Sequence, residues 1–268
     1  MSAEIPVMSR HRARKRFGQH FLTDPGVIGD IVQAIRPTRD DVIVEIGPGL
    51  GAISTPLAAR AGELHLVEFD RDLAASLRQR FAAVDHVTVH EADALDFDFG
   101  SIGDTLRIVG NLPYNISTPL LFRLIEQRRV ITDMLFMLQK EVVDRMSAEP
   151  GSKTYGRLTI MLGCHLEVEA LFDVDPACFD PPPAVMSAIV RLTPLAGGTY
   201  DISDPALFEQ VVSRAFSQRR KTVRNALKTM LDDTDLAVAG IEPGLRPEAI
   251  GIRQYVALSN HLAARRAV

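Results

Sequence analysis

Between about residues 23 and 139 the chain alternates short apolar, β-branched runs with helix-patterned stretches. Val42-Ile43-Val44-Glu45-Ile46 predicts a buried strand, followed by a glycine turn and a helix over 52–61. Further strands are expected at 64–69, 87–90, 106–109 and 133–139, with helices over 71–83 and 118–128 between them. Apolar strands separated by helices imply a parallel sheet covered on both faces. Ligands of such sheets bind beyond the carboxyl ends of the strands. Glu45, Glu68, Asp93 and Asn111 each fall at or just past a strand end, so all four are expected at one crevice.

The pattern then changes. Residues 166–174 and 185–192 read as two more strands, joined by the proline-rich Phe179-Asp180-Pro181-Pro182-Pro183. Residues 194–198 read as a linker. Beyond them only helical patterns follow, at 205–217, 221–231, 234–239 and 247–264, the first capped by Asp204 before Pro205. The fold class expected is therefore α/β: a Rossmann-like sheet domain over residues 1–198, with a basic arm at 1–22, and a small all-helical domain over 199–268.

Composition narrows the setting. No apolar run approaches the ~18 residues that span a bilayer, and Arg10 to Arg16 are not followed by a secretory cleavage pattern. Cys164 and Cys178 lack CxxC spacing, and the seven histidines form no ligand cluster. Reduced structural cysteines, no metal, a cytoplasmic setting and a monomer are expected. The net charge of −4 argues weakly against a nucleic-acid partner. Its distribution argues the other way: five Arg/Lys and no acid from Met8 to Thr23, and six with no acid from Arg214 to Met230. Two basic patches on an acidic body suit a polyanion held at defined places.

Glu45-Ile46-Gly47-Pro48-Gly49-Leu50-Gly51 allows a sharp turn and the close approach of a ligand. Glu68 stands where dinucleotide folds keep a carboxylate for ribose hydroxyls. Gly47, Gly49 and Ala52 also satisfy the nicotinamide fingerprint, so a dehydrogenase competes at this point. Two residues decide against it. Glu45 would repel a pyrophosphate but meet an ammonium, and Asp93 can accept from an adenine amino group. A ligand with an ammonium, a ribose and an adenine but no phosphate is S-adenosylmethionine.

Asn111-Leu112-Pro113-Tyr114 sets an amide acceptor, a rigid turn and an aromatic face at the sheet rim. That equipment suits a planar amine-bearing ring. The Asn111 side-chain oxygen and the Leu112 carbonyl are expected to accept the amine hydrogens. Pro113 would fix the turn, and Tyr114 would stack on the base.

The sequence resembles the bacterial small-subunit rRNA adenine N6,N6-dimethyltransferases along nearly its whole length. The resemblance rests on Gln19-His20-Phe21-Leu22, Glu45 to Gly51, Glu68, Asp93, Asn111 to Tyr114, Phe179 to Val185 with Ser187, and Phe216-Ser217-Gln218-Arg219-Arg220-Lys221. It implies a class I methyltransferase sheet and donor contacts at His20, Leu22, Gly47, Glu68, Asp93 and Asn111, with Gln19 in the same segment. Many relatives carry Asn where this chain has His20; a backbone contact would survive that change, an amide side-chain contact would not. The resemblance also suggests Phe179 as the second wall of the base pocket, although a core phenylalanine reads equally well. It implies 16S rRNA in the immature small subunit as partner. The substrate would be two adjacent adenosines of the 3′-terminal hairpin loop, dimethylated in a step of subunit maturation. Arg219, Arg220, Lys221, Arg224 and Lys228 would grip the phosphate backbone. The competing readings are a large-subunit rRNA adenine methyltransferase of the antibiotic-resistance type and a non-catalytic assembly or transcription factor on the same fold.

Overall fold

The computed structural model describes residues 20–114 and 116–266. They divide into two compact units: one holds the described residues through Val143 with Glu169–Pro194, the other Asp144–Val168 with the residues from Leu195 on. In chain order the first elements are β1 (Phe21–Leu22), α1 (Pro25–Ile35), β2 (Val42–Ile46), α2 (Ser54–Ala58), β3 (Glu63–Glu68) and α3 (Arg71–Arg80). Then come β4 (Val87–Glu91), β5 (Leu106–Asn111), α4 (Ser117–Glu126), β6 (Ile131–Gln139), α5 (Lys140–Met146) and α6 (Arg157–Gly163). The chain continues through β7 (Leu166–Val174), β8 (Phe179–Asp180), β9 (Ser187–Pro194), α7 (Pro205–Ser217), α8 (Val223–Leu227), α9 (Asp233–Val238) and α10 (Ile252–Arg266).

The main sheet has the order β4-β3-β2-β5-β6-β9-β7. β4, β3, β2, β5 and β6 run parallel, and β9 returns antiparallel against β6. Apolar side chains dominate the central strands because both faces are covered: Ile43, Val44, Leu64, Leu66, Ile108 and Phe136 are all fully buried. The chain moves outward from β2 to β3 and β4, then crosses to β5 on the other side of β2. Helices on either hand of that reversal leave a crevice at the strand ends. Asp24 and Asp70 cap α1 and α3 by accepting amide protons in the first turn, which fixes where each helix begins.

At the opposite edge of the sheet Arg107 ties three segments together. Its Nε and Nη2 hold both oxygens of Asp133, at 2.7 and 3.0 Å, Nη1 reaches Asp41 at 2.9 Å, and Nη2 also donates to the Ile35 carbonyl. The two carboxylates push the guanidinium pKa up, and only the planar fork of arginine can meet a carboxylate side-on.

Several elements differ from expectation. α2 is five residues long rather than ten, because Gly47, Gly49 and Gly51, all at positive φ, keep the chain in turns until Ile53. α8 is shorter, and α10 starts at Ile252 because the turn at Pro247–Ala249 is broken by extended, buried Ile250. The sheet unit ends with β9 at Pro194, before the expected boundary at 198, and residues 144–168 do not stay with the sheet. Tyr155, Ile160 and Cys164 join Leu207, Phe208, Val211, Val223, Leu236 and Leu258 in the core of the helical unit. The Tyr155 hydroxyl donates to the Ile250 carbonyl within that core. Cys164 and Cys178 form no disulfide among the described residues. No helix among the described residues is long and apolar enough to cross a membrane.

Arg107→Ala should lower unfolding stability by about 3 kcal/mol, because two carboxylates that are mostly buried lose their partner. Urea unfolding followed by circular dichroism measures this, and Arg107→Lys, which cannot bond side-on, should recover only part of the loss.

Candidate active site

Four strand ends and one short strap enclose the site. Beyond β2 the backbone turns at Gly47 (φ 65°) and Gly49 (φ 55°), a region that L side chains rarely enter. A Cβ on Gly49 would also stand 3.2 Å from the Phe21 ring. The Gly49 amide donates to Glu68 Oε2 at 3.1 Å and the Asp70 amide to Oε1 at 2.8 Å, so the carboxylate ending β3 braces the turn after β2. Burial raises the Glu68 pKa, and these amides partly offset the shift. Each carboxylate oxygen accepts more than one hydrogen bond, so Glu68 keeps capacity for hydroxyl donors.

Glu45, on β2, is 2% exposed and its Oε2 has no hydrogen-bond partner among the described residues. Burial pushes its pKa up to about 7, with nearby Glu68 adding to the rise and the Ser54 hydroxyl opposing it. A buried carboxyl with an unmet oxygen is costly unless a donor arrives. Asp93, after β4, accepts from the Leu95 amide through Oδ1 at 2.9 Å and presents the rest of its carboxylate to the same cavity. Phe69 stands between Glu68 and Asp70 at the cavity rim, 60% exposed. Its place at the end of an expected strand masked it in the sequence; an aromatic directly after a strand-end carboxylate is the signal that could have found it.

Across the crevice, the Asn111 side-chain amide donates to the His20 carbonyl at 3.1 Å. A carbonyl can only accept, so this bond fixes which way the amide faces and leaves Oδ1 as the acceptor. Leu112 is buried and its amide donates to the Met137 carbonyl, which anchors the turn to β6. The Tyr114 hydroxyl lies 2.8 Å from Ser187 Oγ of β9, and burial raises its pKa.

A strap closes the site. β1 pairs antiparallel with β8, Leu22 opposite Phe179 and Phe21 opposite Asp180. The Thr23 and Asp24 amides both donate to the Cys178 carbonyl. His20 Nδ1 lies 2.7 Å from the Pro181 carbonyl, so Nδ1 carries the proton.

The result is a cavity of about 270 Å³ lined by His20, Leu22, Glu45, Gly47, Gly49, Glu68, Asp93 and Asn111 to Tyr114, among others. Every expected donor-site residue within the described part of the chain meets there; Gln19 lies outside the described residues. Phe179 does not line the cavity. It is 4% exposed and belongs to the core around Leu22, Val109 and Ile189. The five expected phosphate-binding residues lie on the helical unit. Arg219 donates to the Lys153 and Tyr155 carbonyls, and Arg224 is paired with Asp233. Arg220, Lys221 and Lys228 are exposed and form no ion pair among the described residues.

This geometry matches known proteins. The family model described as ribosomal RNA adenine dimethylase matches residues 10–264. The chain belongs to the ribosomal RNA adenine dimethylase family. It is 55% identical, over 96% of its length and 97% of the relative's, to a protein of Aromatoleum aromaticum named ribosomal RNA small subunit methyltransferase A. Two solved structures are similar: a dimethyladenosine transferase from Plasmodium falciparum and the 23S rRNA methyltransferase ErmE. The first has a TM-score of 0.76 at 25% identity over 89% of this chain and 96% of that one. The second has a TM-score of 0.72 at 26% identity over 91% and 99%. The fold is that of a class I methyltransferase.

The Glu45 carboxyl gives this family member a measurable signature. Its folded pKa of about 7 exceeds the ordinary 4.5, so the folded state holds the proton longer than the unfolded state does. The associated stability is fully present below pH 4.5 and is lost as pH rises through 7. Without ligand, Glu45→Gln should therefore match the parent protein near pH 4.5 and exceed it at pH 8. With one pKa unit worth ~1.4 kcal/mol, the gap has an upper bound of about 3 kcal/mol. Thermal melting across that pH range reads it.

Proposed function

We propose that this chain dimethylates the exocyclic amines of two adjacent adenosines in the 3′-terminal hairpin loop of 16S rRNA, using S-adenosylmethionine as donor, during maturation of the small subunit. The observation that carries the reading is the Asn111 amide, whose nitrogen is spent on the His20 carbonyl, leaving an oriented acceptor beside Tyr114 in a carboxylate-lined cavity.

The residues present fit the donor. Glu45 would take its ammonium, which supplies the proton donor that Oε2 lacks. Glu68 would take ribose hydroxyls, and Asp93 the adenine amino group. Bound there, S-adenosylmethionine supplies an electrophilic sulfonium methyl.

Adenine's amine is a poor nucleophile because its lone pair is delocalised into the ring. Asn111 Oδ1 and the Leu112 carbonyl accept its two hydrogens and so favour a pyramidal nitrogen. Tyr114 holds the ring face, a contact worth ~1–3 kcal/mol. Positioning of this kind can lower a barrier by ~7–11 kcal/mol, so a strong general base is not required. Each transfer would form the N–C bond as the S–C bond breaks, with S-adenosylhomocysteine as leaving group, and the cationic nitrogen would release one proton to water. After the first transfer one hydrogen remains, only one acceptor can be satisfied, and the new methyl needs space beside Asn111. The target base must be unpaired or flipped to enter, which suits a hairpin loop. A monomer acting on assembling subunits in the cytoplasm accords with this reading.

The test is incubation with methyl-labelled S-adenosylmethionine and immature small or large subunits, followed by nucleoside analysis. Label in dimethyladenosine of the small-subunit rRNA is expected; label confined to large-subunit rRNA, or none, refutes the reading. Asn111→Ala should cut turnover about 100-fold or more while S-adenosylhomocysteine still binds, since an oriented hydrogen-bonding group of this kind is typically worth that much.

RNA binding should divide by side chain. Replacing Arg220, Lys221 and Lys228 together by Ala should flatten the log–log salt dependence of RNA affinity by about 2–3, at ~0.7–0.9 per phosphate contact. Arg224→Ala should change it less, because Asp233 already neutralises that charge. Filter binding at several salt concentrations measures both.

A further inference from the structure

We propose that Arg80, from outside the cavity, is a positioning residue that sets the glycine turn for the methyl donor. This role rests on the donor site proposed above. The turn runs through Pro48-Gly49-Leu50-Gly51 and is closed by the Gly51 amide, which donates to the Pro48 carbonyl at 2.8 Å. Gly47, Pro48, Gly49 and Leu50 all line the cavity, whereas Arg80 stands outside the residues that line it. Glu68 fixes the turn from one side through the Gly49 amide. From the last turn of α3, Arg80 Nη1 donates to the Leu50 carbonyl at 2.7 Å. The peptide unit between Leu50 and Gly51 is therefore held at both ends, its N–H by Pro48 and its C=O by Arg80.

A turn of this composition needs such holding. Gly49 and Gly51 flank Leu50 at φ 55° and 76°, and glycine enters both halves of the backbone map at little steric cost. Without the bond to Leu50 the turn has several shapes of similar energy, of which the donor fits one.

For packing alone, Arg80 is a poor choice. Its Nε is buried and has no hydrogen-bond partner among the described residues, and burial lowers the guanidinium pKa. A methionine could fill the space beside Leu77 and Phe81 without burying charge. It could not give the Leu50 carbonyl a charge-assisted donor. The guanidinium is also seated closely under the turn: a Cβ on Gly51 would stand 3.1 Å from Arg80 Nη1 and 3.3 Å from the Leu77 side chain.

Arg80→Met and Arg80→Lys are compared with the parent enzyme by calorimetry with S-adenosylhomocysteine and by methyl transfer to immature small subunits. Arg80→Met should bind S-adenosylhomocysteine about 10-fold more weakly, the scale of one hydrogen bond to a charged group. Its KM for S-adenosylmethionine should rise by a similar factor. Both kcat at saturating donor and KM for the subunits should stay near the parental values, because donor in excess sets the turn itself. Arg80→Lys, which keeps one donor, should recover most of the affinity. A residue that only stabilises the fold would lower the melting temperature and leave this split unmoved. Parental S-adenosylhomocysteine affinity in Arg80→Met overturns the role, as does Arg80→Lys binding as weakly as Arg80→Met. A loss carried by kcat or by KM for the subunits overturns it too.

Amide exchange over residues 47–52 reads the turn in the parent enzyme and needs no variant to fold. Slow exchange is expected before any ligand is added. Fast exchange that slows only with S-adenosylhomocysteine overturns the role, since the ligand and not Arg80 would then set the turn. A parent enzyme that binds no S-adenosylhomocysteine refutes the proposed donor site and this role with it. A parent that binds it, beside variants that bind it equally well, refutes the role of Arg80 alone.

Discussion

Every feature of the site depends on five strands running the same way. Parallel strands deliver all their carboxyl ends to one edge, and the reversal of winding at β2 leaves a gap between helices at that edge. Residues that are far apart in sequence, Glu45, Glu68, Asp93 and Asn111, become neighbours because each stands at the end of a strand. The same geometry explains the chemistry of the edge. Strand-end amides that no longer have a ladder partner are satisfied by carboxylates, as the Gly49 and Asp70 amides are by Glu68. A carboxylate so held is fixed in place and only partly used. The Arg107 cluster does the corresponding work at the other edge, where it sets the strands' starting points and so where they end.

Glu45 shows what that arrangement costs. A carboxyl with an unmet oxygen inside a covered sheet is a poor stability choice, and its raised pKa records the strain of holding charge out of water. Natural sequences break the rules of burial mainly where function requires it. Here the violation points into the cavity rather than into the core, and the group that would relieve it is a cation with donor hydrogens. The elevated pKa thus comes from burial in the fold, and a cation arriving beside the carboxylate would bring it down.

Much of this was legible in the sequence, and what was not has physical reasons. Strand positions followed from apolar runs, and the carboxylates at their ends followed from the fold class. β7 and α7 fall where periodicity and the Asp204 cap placed them. The assignment of residues 144–168 to the helical core could not be read from local pattern, because it depends on which partners Tyr155 and Ile160 meet across long sequence separations. The β1–β8 strap was invisible for the same reason: two residues give no periodicity, and the pairing joins segments about 160 positions apart. Phe179 illustrates the limit most clearly. Its position in a motif marked it as important, but only three dimensions show that its ring, on the strap opposite Leu22, packs into the core around Val109 and Ile189.

On the proposed reading Asn111 Oδ1 and the Leu112 carbonyl recognise an amine and Tyr114 the face of its ring, but neither feature distinguishes adenine's amine from cytosine's. Ring size and the reach from Tyr114 to Asn111 can separate a purine from a pyrimidine; they cannot choose one adenosine among many in a ribosomal RNA. On the proposed reading that choice must be made by how the RNA is held, through contacts that act on backbone shape and charge. Arg220, Lys221 and Lys228, exposed and forming no ion pair among the described residues, would suit that task. On that reading chemistry and address belong to different parts of one chain.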